Sequence, residues 1–161
     1  MNNEEEQKEL EREIIELEKQ LEYKKEKYKR LKFIDENGRY YLNATGYISE
    51  LIPTVNNEIW EKAIKQNNTF KTKKEAEKER DRRVLLYEFY KFRDECNGGW
   101  RPNWKDENEL KYFIGLQLGN IGVFSNYCLD NFSEFGYFQG KKHCIEAIEK
   151  FGYRIRKLYV D

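Results

Sequence analysis

The 161-residue chain contains only two prolines, one histidine and three cysteines, and the scarcity of each limits its chemistry. One histidine is too few for the paired-histidine motifs of metalloenzymes. Cys96, Cys128 and Cys144 follow no motif spacing, so we expect ordinary buried, reduced thiols rather than a disulfide framework. His143 and Cys144 are adjacent and would point about 100° apart on a helix, which disfavours a shared metal ion. The sequence therefore predicts no catalytic residue, no cofactor and no metal site.

The chain also lacks net charge and long apolar runs. Thirty basic and thirty acidic residues give a formal net charge of zero, which disfavours wholesale electrostatic binding to nucleic acid. No stretch approaches the roughly 18 apolar residues of a membrane span. The first apolar residues after Met1 lie in a charged helix rather than in a signal peptide. We therefore expect a cytoplasmic protein that does not contact a membrane.

Aromatic residues, by contrast, are abundant. They make up 16% of the sequence, with 12 tyrosines, 10 phenylalanines and 3 tryptophans. A mean hydropathy of −1.02 is typical of a disordered chain, but aromatic rings bury a large area per residue. We therefore predict a folded α+β protein with a core of large rings, preceded by a helical segment.

That segment, residues 1–34, has the pattern of a coiled-coil helix. Residues 4–32 contain neither glycine nor proline, and apolar residues recur at alternating spacings of four and three. Lys24 is the one charged residue in the second half of this seam. The apolar seam residues, which we predict to mediate dimerisation, are Leu10, Ile14, Leu17, Leu21, Tyr28 and Leu31.

Charges beside the seam predict how two copies would pair. In a parallel pair Glu13 would face Glu18, which is repulsive, whereas in an antiparallel pair it would face Lys27. Eight acidic and three basic residues before position 22 give a charge of −5, and six basic and two acidic residues in 22–32 give +4. We predict an antiparallel homodimer through residues 4–32. The alternatives are a single solvated helix and a helix folded against its own domain.

Two related β-β-β-α units are predicted after this helix, at 35–97 and 98–161. In the first, strands near 39–43 and 46–50 precede a segment at 58–60 that is either a third strand or a short helix. The helix that follows starts with Thr72 as N-cap and Glu75 as its capping-box partner, and runs to about Glu95. Seven of the nine residues from Val84 to Phe92 are apolar, so we expect this half to be covered on more than one side.

The second unit contains the clearest hairpin pattern. Residues 111–118 and 121–129 are predicted strands, with Gly119-Asn120 as the tight turn. Residues 136–138 form a short strand. A helix over 141–151 follows, with Gly152 as its C-cap.

Two surfaces are candidates for binding. Trp100 and Trp104 flank Pro102 in a linker, where they would either form an exposed recognition site or pin the linker onto the core. The second is a basic helix face, interleaved with acidic residues and therefore more typical of a solvated, salt-bridged surface. Its candidate nucleic-acid contacts are Lys71, Lys74, Lys78 and Arg82.

Residues 67–161 resemble a loose group of small proteins from phages and prophages of Gram-positive bacteria. The resemblance rests mainly on aromatic spacing, at Phe70-Lys71-Thr72, Glu75-Ala76, Trp104, Lys111-Tyr112-Phe113-Ile114, Gly136-Tyr137-Phe138, Ala147-Ile148-Glu149, Gly152 and Arg154–Tyr159. The group supplies no activity that transfers to any residue. The resemblance implies a phage accessory role in the cytoplasm of an infected or lysogenic bacterium.

The resulting hypothesis is a non-enzymatic protein that binds a host protein and inhibits a bacterial antiviral defence system, as anti-CRISPR proteins do. The alternative, from a different class, is a nucleic-acid-binding accessory factor that uses the basic helix face. A third is an enzyme with an unrecognised site.

Overall fold

The computed structural model describes residues 3–50, 57–130 and 132–161, and its fold is α+β with a long N-terminal helix and small antiparallel sheets. The chain divides into two compact units, residues 1–77 and 78–161. The first contains α1 (Asn3–Asn37), β1 (Tyr40–Leu42), β2 (Ile48–Glu50), α2 (Asn57–Lys65), β3 (Thr69–Phe70) and the start of α3 (Lys73–Asn97). The second contains the rest of α3, then β4 (Lys111–Gln117), β5 (Asn120–Asn126) and α4 (Lys141–Tyr159).

Helix α1 ends at a glycine that connects it to the first sheet. Gly38 is buried, has a φ of +98° and donates its N–H to the carbonyl of Ile34 at 2.7 Å. A Cβ at this position would lie 2.8 Å from the backbone carbonyl of Phe70 in β3. Glycine is therefore required at this position for two reasons, the positive φ and the close approach of β3.

The first sheet has the strand order β2-β1-β3, with both pairs antiparallel. The segment at 58–60 lies in helix α2, so of the two predicted possibilities the helix is correct. The third strand is β3, which comes after α2. Buried Asn68 holds the sheet to α2, because its side-chain amide donates to the Leu42 carbonyl at 2.7 Å and its N–H donates to Ala63 at 2.8 Å.

Helix α3 begins with the predicted capping box. The backbone N–H of Glu75 donates to Thr72 Oγ1 at 3.2 Å, and the Glu75 carboxylate accepts from the N–H of Thr72 at 3.1 Å. The predicted unit boundary at 97/98, however, differs from the division at 77/78. Most of α3 groups with the second unit because Leu85 and Phe89 are fully buried in that unit's core.

The apolar half of α3 is covered on one side only, which corrects the prediction of burial on more than one side. Leu85 and Phe89 are fully buried, whereas Val84 is 45% exposed and Tyr87 70% exposed. Leu85 and Phe89 are four residues apart and so lie on one helix face. Helical spacing therefore separates a buried row from an exposed row in a segment that is apolar in composition.

Aromatic rings form the core of the second unit, with Phe89 at the centre. Its ring centroid lies 4.8 Å from that of Phe135, 5.9 Å from Phe138 and 5.3 Å from Phe151. These tilted and edge-on geometries are the ones that aromatic quadrupoles favour. The rings thus join α3, the segment before α4, and α4 itself.

The β4–β5 hairpin is confirmed, but its turn lies one residue earlier than predicted. Gln117 pairs with Asn120, so the two turn residues are Leu118 (φ +50°) and Gly119 (φ +78°). Two-residue turns of this kind need positive φ at both positions. Leu118 takes the strained position and is almost fully exposed, while Arg156 of α4 donates to the Gly119 carbonyl at 3.2 Å.

Helix α4 continues to Tyr159, so the prediction of a C-cap at Gly152 was wrong. The buried side chains of α4 are Cys144, Ala147, Phe151 and Ile155, which recur at helical spacing across the glycine. Burial of Ile155 favours continuing the helix by more than the roughly 1 kcal/mol that a mid-helix glycine costs.

The structure does not confirm that the two halves are related β-β-β-α units. In both, the first strand is central: β1 lies between β2 and β3, and β4 pairs with β5 and, through Tyr112, with Phe138. Helix α2, however, interrupts the first set of strands, and the third segment of the second set is a single bridge.

Among the residues that the structure describes, no helix combines the length and apolarity that crossing a membrane requires.

Replacing Gly38 with alanine tests the link between α1 and the sheet. Gly38→Ala should lower the free energy of unfolding of the first unit by roughly 2–4 kcal/mol, because it adds a backbone clash to the positive-φ strain. Gly46→Ala is the matched control, since Gly46 has a φ of +82° but no atom within 4 Å of its would-be Cβ. It should cost only about 1 kcal/mol. Amide hydrogen exchange of β1 measures the stability loss of both variants. Equal losses would contradict the role of the close approach of β3 to Gly38.

Candidate functional site

The predicted dimerisation residues lie in a row on α1 and are all uncovered. We call this row, Leu10, Ile14, Leu17, Leu21, Tyr28 and Leu31, the seam face. Its six side chains are between 47% and 68% exposed, and every residue from 3 to 33 is exposed. A lone helix with this much uncovered apolar surface is typical of an interaction element.

Charged side chains support α1 as a helix without covering the seam face. Lys29 contacts Glu26 at 3.0 Å, and this hydrogen bond raises the pKa of Lys29. Lys32 lies 3.9 Å from Glu36. Exposed pairs three or four residues apart stabilise a helix by a few tenths of a kcal/mol each. Ion pairs within α1 therefore favour its helical conformation, while the apolar side chains of the seam face stay exposed.

The basic face of α3 is less available than the sequence indicated. Arg82 forms a two-pronged pair with Glu79, at 2.7 and 2.9 Å, and also contacts Glu134 at 2.6 Å. The hydrogen bonds between Arg82 and Glu79 lower the pKa of Glu79 and raise that of Arg82. Arg82 is thus already committed to carboxylates. Lys71, Lys74 and Lys78, the other candidates, are exposed.

Trp100 belongs to a hydrogen-bonded loop after α3. Its indole Nε1–H donates to Glu109 Oε1 at 2.8 Å, and the backbone N–H of Asn103 donates to Glu109 Oε2 at 2.8 Å. Lys111, whose side chain is fully buried, lies 3.1 Å from the same Oε2 and donates to the Glu109 backbone carbonyl at 2.8 Å. The backbone N–H of Asn103, then Trp100 and Lys111, lower the pKa of Glu109.

Trp104 packs on the core side of the same loop. Its ring meets that of Tyr137 edge-on at 4.8 Å, and the Lys111 ammonium lies 5.4 Å from the Trp104 ring centroid. Both tryptophans are half-buried. They therefore attach the loop to the core, which was one of the two roles that the sequence allowed. Partner binding by Trp100 and Trp104 stays a prediction.

The cysteines have three different environments, so the expectation of ordinary buried thiols holds for one of them. Cys144 is fully buried, and desolvation raises its pKa to about 12. Cys128 is exposed, and Cys96 is half-buried at the end of α3. The sulfur of Cys96 and ligand atoms of His143 and Glu146 all lie within 4.8 Å of one another.

Sequence reasoning weighed His143 with Cys96, Cys128 and Cys144 as metal ligands and dismissed the set, because it has no motif spacing and because His143 and Cys144 diverge on a helix; it did not consider Glu146. The available signal was the spacing of His143 and Glu146, three residues apart and so on one face of α4. The contribution of Cys96 from α3 depends on how the two helices pack.

No family model matches the chain, and no curated protein or solved structure matches it either. The resemblance to phage proteins and the accessory role that it implies therefore stay predictions.

Substitution of Glu109 tests whether its contacts with Trp100, Asn103 and Lys111 stabilise the folded protein. Because its pKa is lowered in the folded protein, its contribution to stability is present above the unfolded value of about 4.3 and is lost as pH falls through the folded value. Glu109→Gln should lower the free energy of unfolding at pH 7 by roughly 2 kcal/mol, below the 3–5 kcal/mol of a fully buried pair because Glu109 keeps contact with water.

Thermal unfolding between pH 7 and pH 3 measures the effect. The variant should lose part of the acid sensitivity of the parent protein, and Glu109→Gln/Lys111→Met should recover stability because it removes both charges. Glu107→Gln, at an exposed position two residues away, is the control. Identical pH profiles for the parent and Glu109→Gln would contradict the assignment.

Proposed function

We propose that the chain is a non-enzymatic accessory protein that pairs with a second copy of itself through α1 and binds a host protein. The observation that supports this proposal is the seam face, where six large apolar side chains lie exposed in one row. Apolar rows at heptad spacing are covered by another helix in coiled coils. A second copy supplies a helix with the same row.

The size of the seam face sets the expected strength of pairing. Burying a half-exposed leucine contributes on the order of 1 kcal/mol, so twelve side chains from two copies contribute roughly 12 kcal/mol. Association costs about 4–15 kcal/mol. Even at the lowest of these costs the net free energy of pairing is about −8 kcal/mol, which corresponds to a micromolar dissociation constant, so we expect pairing in the micromolar range or weaker.

The antiparallel orientation rests on charge. Pairing Leu17 with Leu21 across the dimer centre brings Glu13 opposite Lys27, so that the acidic half of one helix lies along the basic half of the other. Each exposed pair contributes only a few tenths of a kcal/mol, but all have the same sign. Parallel pairing would reverse that sign.

The host-protein part of the proposal rests on the resemblance of residues 67–161 to phage and prophage proteins. In that setting small proteins commonly act by binding and disabling defence machinery of the host. A phage accessory protein of this kind would work in the bacterial cytoplasm. A further proposal is that the two halves of the chain after α1 are related β-β-β-α units. It is supported by the alignment of residues 70–76 with residues 138–144 in the sequence.

Nucleic-acid binding ranks second. With Arg82 held by Glu79 and Glu134, the exposed candidates are Lys71, Lys74 and Lys78. Binding through phosphates should weaken steeply with salt and should fall when Lys74→Glu and Lys78→Glu are combined. Gel-shift assays at two salt concentrations measure this, and salt-insensitive binding would remove the alternative.

Two double variants test the dimer. Leu17→Ala/Leu21→Ala removes the centre of the seam, and Ile15→Ala/Tyr23→Ala removes exposed apolar side chains outside it. Both introduce the best helix former, so helix propensity does not separate them. The seam variant should weaken self-association at least about a hundredfold, and the control should change it little. Light scattering at tens of micromolar measures the mass, and a monomeric parent protein would contradict the proposal.

Cross-linking tests the orientation. Antiparallel pairing places Ile14 of one helix opposite Lys24 of the other, so a mixture of Ile14→Cys and Lys24→Cys chains should form a disulfide-linked dimer on oxidation. The exposed Cys128 is replaced by serine in both. Ile14→Cys alone should not cross-link, and its efficient cross-linking would indicate parallel pairing.

Capture from a bacterial lysate tests the proposal that the chain binds a host protein. The tagged full chain should retain one specific protein from the lysate of a Gram-positive bacterium, and the retained protein should bind the purified chain directly. The Leu17→Ala/Leu21→Ala variant shows whether capture needs the dimer. Failure of the parent chain to retain any protein from several hosts would contradict host binding without affecting the dimer.

A further inference from the structure

The cluster of Cys96, His143 and Glu146 combines three metal-ligating side chains from two helices. Cys96 lies at the C-terminal end of α3, and the other two lie in the first turns of α4, three residues apart. The thiol sulfur, an imidazole nitrogen and a carboxylate oxygen are within 4.8 Å of one another. All three side chains are half-buried, so an ion could reach them from solvent.

We propose that Cys96, His143 and Glu146 bind one Zn²⁺ ion, with the fourth coordination position open to water. The chemistry of the ligands selects the ion. One sulfur, one nitrogen and one oxygen are a borderline-soft set that suits zinc, whereas calcium and magnesium prefer oxygen ligands alone. Neither helix carries the site by itself.

The three ligand atoms lie close to the separations that a zinc site requires. Ligands at about 2.0–2.3 Å from zinc stand roughly 3.3–3.7 Å apart in a tetrahedral arrangement. Atoms within 4.8 Å therefore have to approach by about 1 Å. Rotation of the glutamate side chain, which has three flexible torsions, can supply much of this movement.

A divalent cation bound to all three side chains would favour the ionised forms of the thiol and the carboxylate.

Two lysines are also near the cluster. Lys142 lies 3.6 Å from Glu146 Oε1, but its side chain is largely exposed and such pairs are weak. The ammonium of Lys150 lies over the rings of Phe92 and Phe151, at 4.9 and 5.3 Å from their centroids. A zinc ion would have to displace Lys142 from Glu146, which costs little because this pair is exposed.

Zinc at this position would brace the end of α3. The next residue, Asn97, donates its side-chain amide to the Tyr137 carbonyl at 2.8 Å and accepts from the N–H of Gln139 at 3.2 Å. The metal would add a second link from the same end of α3, in this case to the first turns of α4. Zinc should therefore stabilise the folded chain, and the stabilisation should grow with the logarithm of the free zinc concentration above the dissociation constant.

Metal titration of the full chain tests the site. The chain, stripped with a chelator and kept reduced, is titrated with Zn²⁺ by calorimetry and separately with Co²⁺ by absorbance. We expect one ion per chain, a thiolate-to-cobalt charge-transfer band, and a rise in the unfolding temperature with added zinc.

Single substitutions assign the ligands. Cys96→Ser, His143→Gln and Glu146→Gln should each weaken zinc binding at least about tenfold, and Cys96→Ser should abolish the charge-transfer band. The controls are Cys128→Ser and Glu149→Gln, which alter an exposed cysteine and an exposed glutamate next to the site and should bind zinc as the parent does.

Circular dichroism of each metal-free variant shows whether it folds, so that loss of binding is not confused with loss of structure. The proposal is overturned if the folded parent chain takes up no zinc. It is also overturned if zinc affinity and the cobalt spectrum survive in Cys96→Ser, since uptake would then reflect scattered surface carboxylates.

Discussion

The second unit depends on the burial of one ring. Phe89 touches Phe135, Phe138 and Phe151, so the orientation of α3 relative to α4 follows from packing around it. Deleting a fully buried phenylalanine typically costs about 3–5 kcal/mol, a large part of a domain's stability. The hydrogen bonds of Asn97 and the proximity of Cys96 to α4 both follow from this placement.

The two long helices use their apolar residues in opposite ways. In α3, Leu85 and Phe89 are fully buried within the chain. In α1, the whole seam face stays exposed, and local pairs such as Lys29 with Glu26 support the helix instead. The same amphipathic pattern therefore contributes to folding in one helix and is available for association in the other. Our functional proposal rests on this contrast.

Local signals predicted much of the fold. The heptad of α1, the Thr72–Glu75 capping box and the β4–β5 hairpin depend on residues close in sequence, and each is present in the structure. Predictions that depended on distant residues were less accurate. Helix α4 passes through Gly152 because Ile155 is buried by other elements. The turn at Leu118 differs by one residue because strand register decides which residues adopt positive φ.

The sequence by itself determined that α1, α3 and the first part of α4 are helical, that α1 carries an apolar seam, and that its flanking charges favour one orientation of pairing. These properties follow from spacing along a helix of known period. Only the tertiary structure decided that Arg82 contacts Glu134, that Trp104 packs against Tyr137, and that Cys96 meets His143 and Glu146. Such contacts join residues far apart in the chain, and their positions are set by how the aromatic core packs.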